Sequence, residues 1–157
     1  MNLSPLPITY QAAIPKEYLD EMNHMNVMWY AHLFDRATWR FFEDLGMSLV
    51  YFEGQNAGAF ALENHTRYLA EVRLGQMVIL RTRAINRSEK RFHFMHFMTI
   101  QNSDLLAATA EFVGMHIDRA TRRSSPLPNH IARAFDRQIT KHQTLDWDPP
   151  ICGVMNP

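Results

Sequence analysis

From Asn26 to Leu45 the chain carries one apolar repeat that any fold must accommodate. Val27, Tyr30, Ala31, Phe34, Ala37, Thr38, Phe41 and Leu45 recur three or four residues apart, the period of a helix. His32, Asp35, Arg36, Arg40 and Glu43 fall off that stripe, and Gly46 stands where a helix ends in the left-handed conformation. The spacing predicts a helix over about residues 26–45 with a wide, aromatic apolar face. A helix with that much apolar surface needs a concave partner that wraps it.

The flanking sequence supplies the wrap. Leu6 to Ile14 is short and β-permissive. A loop is expected near Gly54 to Gly58, then strands over about 59–71, 77–87, 91–101 and 105–118. Gly75, Ser88-Glu89-Lys90 and Asn102-Ser103-Asp104 mark the turns between them. Arg81, Arg83 and Arg87 share a parity, which predicts a solvated or ligand-facing side. The polar run from Arg119 to Ser125, with Pro126 and Pro128 behind it, breaks the sheet before a short amphipathic helix at about 129–140. Short connections imply antiparallel neighbours in a meander. The expected class is α+β, an antiparallel sheet of about five strands around one long central helix. It forms one domain over residues 1–140, followed by an irregular tail over 141–157. The open sheet edge needs cover, which a second copy of the chain supplies; pairing of such dimers is left open.

Charge and cysteine usage exclude several classes. Lys+Arg and Asp+Glu number 16 each, so no basic field exists to attract nucleic acid. Cys152 is the one cysteine, which rules out a disulfide framework and suits a reducing compartment. Met1 to Pro7 shows no basic-then-apolar leader, and no apolar run reaches membrane-spanning length. A cytoplasmic protein without membrane contact is expected. No histidine pair has a recognised metal-binding spacing and no second cysteine is present, so neither a metal nor a cofactor is expected.

The polar surplus lies just ahead of the helix, in Asp20-Glu21-Met22-Asn23-His24-Met25-Asn26-Val27-Met28-Trp29-Tyr30. One cap would account for Asn26, and Asp is itself a favoured cap. It does not account for a carboxylate, a histidine and two asparagines at once. The pattern Asp-x-x-x-His-Met-Asn-x-x-x-Tyr resembles the hot-dog fold acyl-CoA thioesterases of the 4-hydroxybenzoyl-CoA thioesterase-like branch. Members typically show Asp-x-x-Gly-His-(Val or Met)-Asn-Asn-x-x-Tyr here, and Asp20, His24, Met25, Asn26 and Tyr30 match in type and spacing. Tyr68-Leu69-Ala70-Glu71-Val72-Arg73-Leu74-Gly75 looks like a second family segment. Ser88-Glu89-Lys90-Arg91-Phe92-His93 is similar to the thioesterase portion attached to, or acting beside, carnitine dehydrogenases, which hydrolyses betainyl-CoA. The chain departs from the pattern twice. Asn23 replaces the glycine, and Val27 stands where relatives carry Asn or another polar residue.

The resemblance implies an acyl-CoA substrate and a hydrolase of the homodimeric hot-dog type. It implies Asp20 as nucleophile or general base, with His24 or Asn26 orienting it. The backbone amides of Asn23, His24 and Met25 are the expected oxyanion donors, helped by the helix dipole. Tyr30, Glu63 and Tyr68 are expected beside the substrate, and Lys90 and Arg91, with Arg87, are candidates for the CoA phosphates. If the acyl group is betaine, Trp29, Tyr30, Phe60 and Tyr68 offer aromatic faces for its quaternary ammonium. Two other readings stand beside this one: a dimeric module that binds acyl-thioesters without turnover, and a hot-dog enoyl-CoA hydratase.

Overall fold

The computed structural model describes residues 1–103 and 105–157. Its elements run β1 (Ile8–Ala13), α1 (Val27–Asp44), α2 (Leu49–Gly54), β2 (Ala57–Tyr68), β3 (Met77–Arg87), β4 (Arg91–Ile100), β5 (Leu105–Asp118), β6 (Arg123–Ser124) and α3 (Asn129–Gln143), with a short 3-10 turn at Lys16–Tyr18. The described strands pair antiparallel in the order β1-β3-β4-β5-β2, and β6 folds back onto β5. The sheet curls around α1, which is the hot-dog arrangement.

The helix ends follow from their residues. Asn26 caps α1 by accepting a hydrogen bond from Met28 N–H at 3.0 Å. At the other end Gly46 adopts φ +89°, and the amides of Gly46 and Met47 reach back to the carbonyls of Glu43 and Phe42. That is the Schellman arrangement, which a side chain at Gly46 would strain. The buried face of α1 is made by Tyr30, Leu33, Phe34, Ala37, Phe41 and Phe42. Val27 and Ala31, expected on that face, are exposed, and Leu33 and Phe42 take the core positions. In the first turn Val27 and Met28 face outward while Tyr30 is buried.

The strand sequence is not a simple meander. β2 pairs with β5 at the far edge, so β5 and β4 separate it from β3. Three interstrand steps span about 14 Å, and the eight residues 69–76 can reach about 26 Å when extended. The connection therefore crosses the open end of the barrel-like curl, beneath the start of α1. Leu69 and Ala70 N–H both donate to Ala107 O, and Val72 is fully buried.

Residues 49–54, expected to lead into a loop, form α2, capped by Ser48 Oγ accepting from Tyr51 N–H and anchored by buried Phe52. The run after Arg119 does not end the pairing, because Arg123 and Ser124 return against Asp118 and Ile117. The Asn102-Ser103-Asp104 turn is described only as far as Ser103, with Asn102 at φ +67°; Asp104 lies outside the described residues. Two of the three arginines of β3, Arg83 and Arg87, are engaged by other parts of the chain and do not form a solvated row. Arg83 is buried, donates to Trp147 O at 2.8 Å and stacks on the Trp147 ring at 4.3 Å. Arg87 forms a two-pronged pair with Asp136 of α3 at 2.6 and 2.7 Å. The C-terminal residues pack across the sheet's outer face, so β4 is buried on both sides.

One polar chain crosses the apolar interior. His96 Nδ1 lies 2.8 Å from Thr82 Oγ1, and His96 Nε2 lies 2.8 Å from Thr38 Oγ1. Thr38 donates its own proton to Phe34 O at 2.9 Å, so its oxygen accepts from His96 Nε2–H. Nδ1 is then the acceptor for Thr82 O–H, and Thr9 joins Thr82 at 2.8 Å. Burial drives the His96 pKa down to about 3, so the ring is neutral and its tautomer is fixed by its neighbours. Among the described residues no helix is long and apolar enough to cross a membrane.

Candidate active site

Residues 19–25 form a tight hairpin ahead of α1. Leu19 bridges Met25, Asp20 N–H donates to His24 O, and Asn23 N–H donates to Asp20 O, both at 3.0 Å. Closing so short a loop requires one left-handed residue, and Asn23 provides it at φ +61°. The asparagine that replaces the family glycine thus keeps the glycine's backbone role. The hairpin is held from outside by Asn26 N–H donating to Tyr18 O and by Met25 N–H donating to Val72 O at 2.7 Å. The crossing segment therefore fixes the position of the turn.

Within this frame the Asp20 carboxylate has two unlike oxygens. Oδ1 accepts from Met22 N–H at 2.9 Å. Oδ2 faces His24 Nδ1 at 3.5 Å, beyond a good hydrogen bond but close enough for charge to be felt. The Asp20 side chain is 17% exposed and that of His24 33%, so both are shielded yet reachable. Beside them lies a surface depression of ≈ 430 Å³ bordered by Leu19, Met22, Asn23, Glu71, Arg73 and Leu74. Arg73 donates to Glu71 at 2.9 Å and holds its carboxyl below the usual range.

The expected oxyanion donors divide. Asn23 N–H and Met25 N–H are already bonded to protein carbonyls, because they close and anchor the hairpin. They are not available to a substrate in this arrangement. The His24 amide has no such partner among the described residues, and the first-turn amides of α1 lack intrahelical acceptors by geometry. Val27 N–H is one of them, and its side chain is 60% exposed. Asn26 is the helix cap: its Oδ1 accepts from Met28 N–H, so it positions the helix start.

Tyr30 is buried, stands edge-on to Tyr68 with ring centres 5.0 Å apart, and burial raises its phenol pKa. Its hydroxyl lies 3.5 Å from the Ala70 carbonyl and also meets the Val72 backbone, both in the crossing segment. It packs the crossing segment and does not face an open site. Trp29 is stacked on Tyr18 at 3.7 Å, which covers one of its faces. Glu63 and Tyr68 are exposed on the edge strand β2; Tyr68 meets Tyr30 in the first turn of α1, whereas Glu63 lies five residues back along the strand.

A larger cavity lies elsewhere along α1. A chamber of ≈ 560 Å³ opens between α1, α2, β2 and β5, walled by Trp39, Phe42, Phe52, Phe60, Phe94 and Phe112. Asp35 and Glu53 add carboxylates, and Arg119 and Arg122 stand at its border. Gly114 sets its depth: the Phe92 ring fills the place of the missing side chain, 2.2 Å from where a Cβ would sit. Asp20 does not line this chamber. Ala31 marks its nearest helical wall, four residues or about 6 Å from the helix start. Lys90 and Arg91 do not line it either; Lys90 O accepts from His116 N–H, and Phe92, next along the strand, takes the inward side. The cations the structure places at the chamber are Arg119 and Arg122, the latter at φ +58° with its guanidinium 5.0 Å over Phe60. Sequence reasoning missed both because a polar run before two prolines reads as a sheet breaker.

Comparison with known proteins fits this geometry. Residues 14–135 match the model of the Thioesterase-like superfamily. A betainyl-CoA thioesterase from Pseudomonas aeruginosa is 24% identical over 143 residues, covering 91% of this chain and 90% of that protein. An L-carnitine dehydrogenase/betainyl-CoA thioesterase from Rhizobium meliloti is 27% identical, and the match takes in 82% of this chain but only 26% of that longer protein. A Staphylococcus aureus protein solved in complex with CoA superimposes with a TM-score of 0.84 at 28% identity, covering 91% of this chain and 90% of that one.

Proposed function

This chain belongs to the thioesterase-like superfamily, and from that premise we propose that it hydrolyses acyl-CoA thioesters with Asp20 as the reacting carboxylate. The observation that carries the reading is the asymmetry of that carboxylate: Oδ1 is tied to the Met22 amide, while Oδ2 is left pointing toward His24 and the helix start. A thioester carbonyl placed there meets free amides at the positive end of α1, which favour the developing oxyanion. Oδ2 then either attacks the carbonyl carbon, or takes a proton from a water that attacks it. In both routes the carbon–sulfur bond breaks and CoA leaves as the thiolate. In the first, water must also cleave the resulting acyl-aspartyl anhydride.

The acyl group has the aromatic chamber as its natural seat, which makes the assembly matter. β2 is a long edge strand with one side open; Leu62, Tyr68 and Leu69 on and just after it, and Met22, Val27 and Met28 in and just after the Asp20 turn, are exposed apolar residues. An antiparallel β2–β2 pairing of two copies covers that edge and sets each Asp20 turn beside the seam. The relatives named for betainyl-CoA point to a small cationic acyl group. Asp35 and Glu53 among aromatic faces suit a trimethylammonium. The chamber volume favours a second reading, a bulkier apolar acyl group.

The test is a thiol-release assay across acyl-CoAs of graded size that includes betainyl-CoA. Release above background from at least one of them is the expected result. Tight CoA-ester binding with no release would instead identify a binding module, and hydration of an enoyl-CoA without thiol release would identify a hydratase.

A further inference from the structure

We propose that His65, Glu111 and Cys152 form a binding site for a single transition-metal cation of the zinc type, on the face of the sheet opposite α1. The site does not depend on the thioesterase reading. Ala108, Ala110 and Phe112 of β5 pack on the α1 side, so Glu111 between them points outward. There it has no exposed surface. Its Oε1 lies 2.8 Å from His93 Nε2, and its Oε2 accepts from Cys152 N–H at 2.7 Å. His65 is the residue directly opposite Glu111 on β2, and its Nδ1 stands 4.0 Å from the same Oε2. The imidazole nitrogen, the carboxylate oxygen and the Cys152 sulfur all lie within 4.8 Å of one another.

The chemistry of this set is specific. Thiolate, imidazole and carboxylate together are the donors of zinc sites, and three protein ligands leave a fourth position for water. Tetrahedral bonds of about 2.0–2.3 Å place donor atoms roughly 3.3–3.8 Å apart. From a spread of at most 4.8 Å, the three side chains need to close by no more than about 1.5 Å. The two that must turn are free to do so: His65 is 44% exposed on the edge strand, and Cys152 lies on the C-terminal segment. The one that must stay fixed is fixed. Glu111 is held at Oε1 by His93, which would act as the supporting partner that orients a ligating carboxylate. A buried carboxylate also favours a cation beside its second oxygen. The cysteine reaches this place through a 41-residue closure sealed by its own backbone amide. A metal here would pin the C-terminal segment to β2.

The chain's full length, stripped with a chelator, is titrated with Co(II) alone and then with Zn(II) in competition. One equivalent per chain should bind and give the near-ultraviolet charge-transfer band of a cobalt–thiolate bond. Cys152→Ser should abolish that band, and His65→Ala should weaken binding at least tenfold, while the metal-free melting temperatures of both stay near that of the parent. No band in the parent chain, or unchanged affinity in both variants, overturns the site.

Discussion

At the scale of single residues, the proposed chemistry rests on a few side chains whose positions leave little latitude. Asn23 holds the Asp20 hairpin at positive φ. Asn23→Gly should preserve stability within a few tenths of a kcal/mol, whereas Asn23→Val should cost about 1–2 kcal/mol and disturb turnover. Denaturant titration together with kcat/KM reads both. The two chemical routes at Asp20 also separate here: after a single turnover in ¹⁸O-water, label in the Asp20 carboxylate marks attack on the thioester followed by water cleaving the anhydride at the aspartyl carbonyl, an outcome the general-base route cannot give. Gly114 is the third such residue. Gly114→Ala drives a Cβ into the Phe92 ring, pushing the ring toward the chamber. Overpacking of this kind costs about 1–3 kcal/mol. The acyl-CoA preference should shift to smaller groups, visible as a larger loss of kcat/KM for long acyl chains than for short ones. The motif made the Asp20–His24 juxtaposition and the left-handed position of Asn23 legible in the sequence. It did not reveal that the Asn23 and Met25 amides are consumed by the hairpin, because backbone pairing leaves no mark in residue type.

At the scale of elements, periodicity located α1 and the long strands well, since burial on one or both faces writes itself into the spacing. It failed where a distant segment decides the environment. The arginines of β3 read as a solvated row because nothing in their own strand announces Trp147 and Asp136, which cover them. β2 reads as the neighbour of β3 because the crossing segment is short, yet eight residues suffice to pass the end of the curl. The spine Thr9–Thr82–His96–Thr38 ties β1, β3, β4 and α1 together and carries a pH signature. The folded chain keeps His96 neutral down to about 3, while an unfolded histidine takes up its proton near 6.5. The unfolded state therefore binds more protons as pH falls through that window, so the contribution is complete above 6.5 and is lost progressively below it. Urea unfolding at pH 7 and at pH 4.5 should differ by roughly 2–3 kcal/mol from this residue. His96→Gln should be less stable at neutral pH and show a flatter curve over the same interval.

At the scale of the whole molecule, the question is how a carboxylate near the start of α1 serves a chamber that runs along the helix. The proposed pairing of two copies through the open β2 edge is one answer to test. Leu62→Lys places a charge on that edge. Sedimentation should show the parent chain as a dimer or larger and the variant shifted toward monomer, with kcat/KM falling alongside the dimer fraction. The chamber mouth adds a charge test. Arg119→Ala and Arg122→Ala should raise KM for acyl-CoA more than Lys90→Ala or Arg91→Ala, since the first pair borders the chamber and the second does not. The central claim remains that one carboxylate does the chemistry. The most direct measurement is thiol release by Asp20→Asn on the best substrate of the parent chain, with CoA-ester affinity measured in parallel. The account predicts a fall in kcat of about 10³-fold or more with binding retained. Turnover by Asp20→Asn within a few-fold of the parent chain would contradict it.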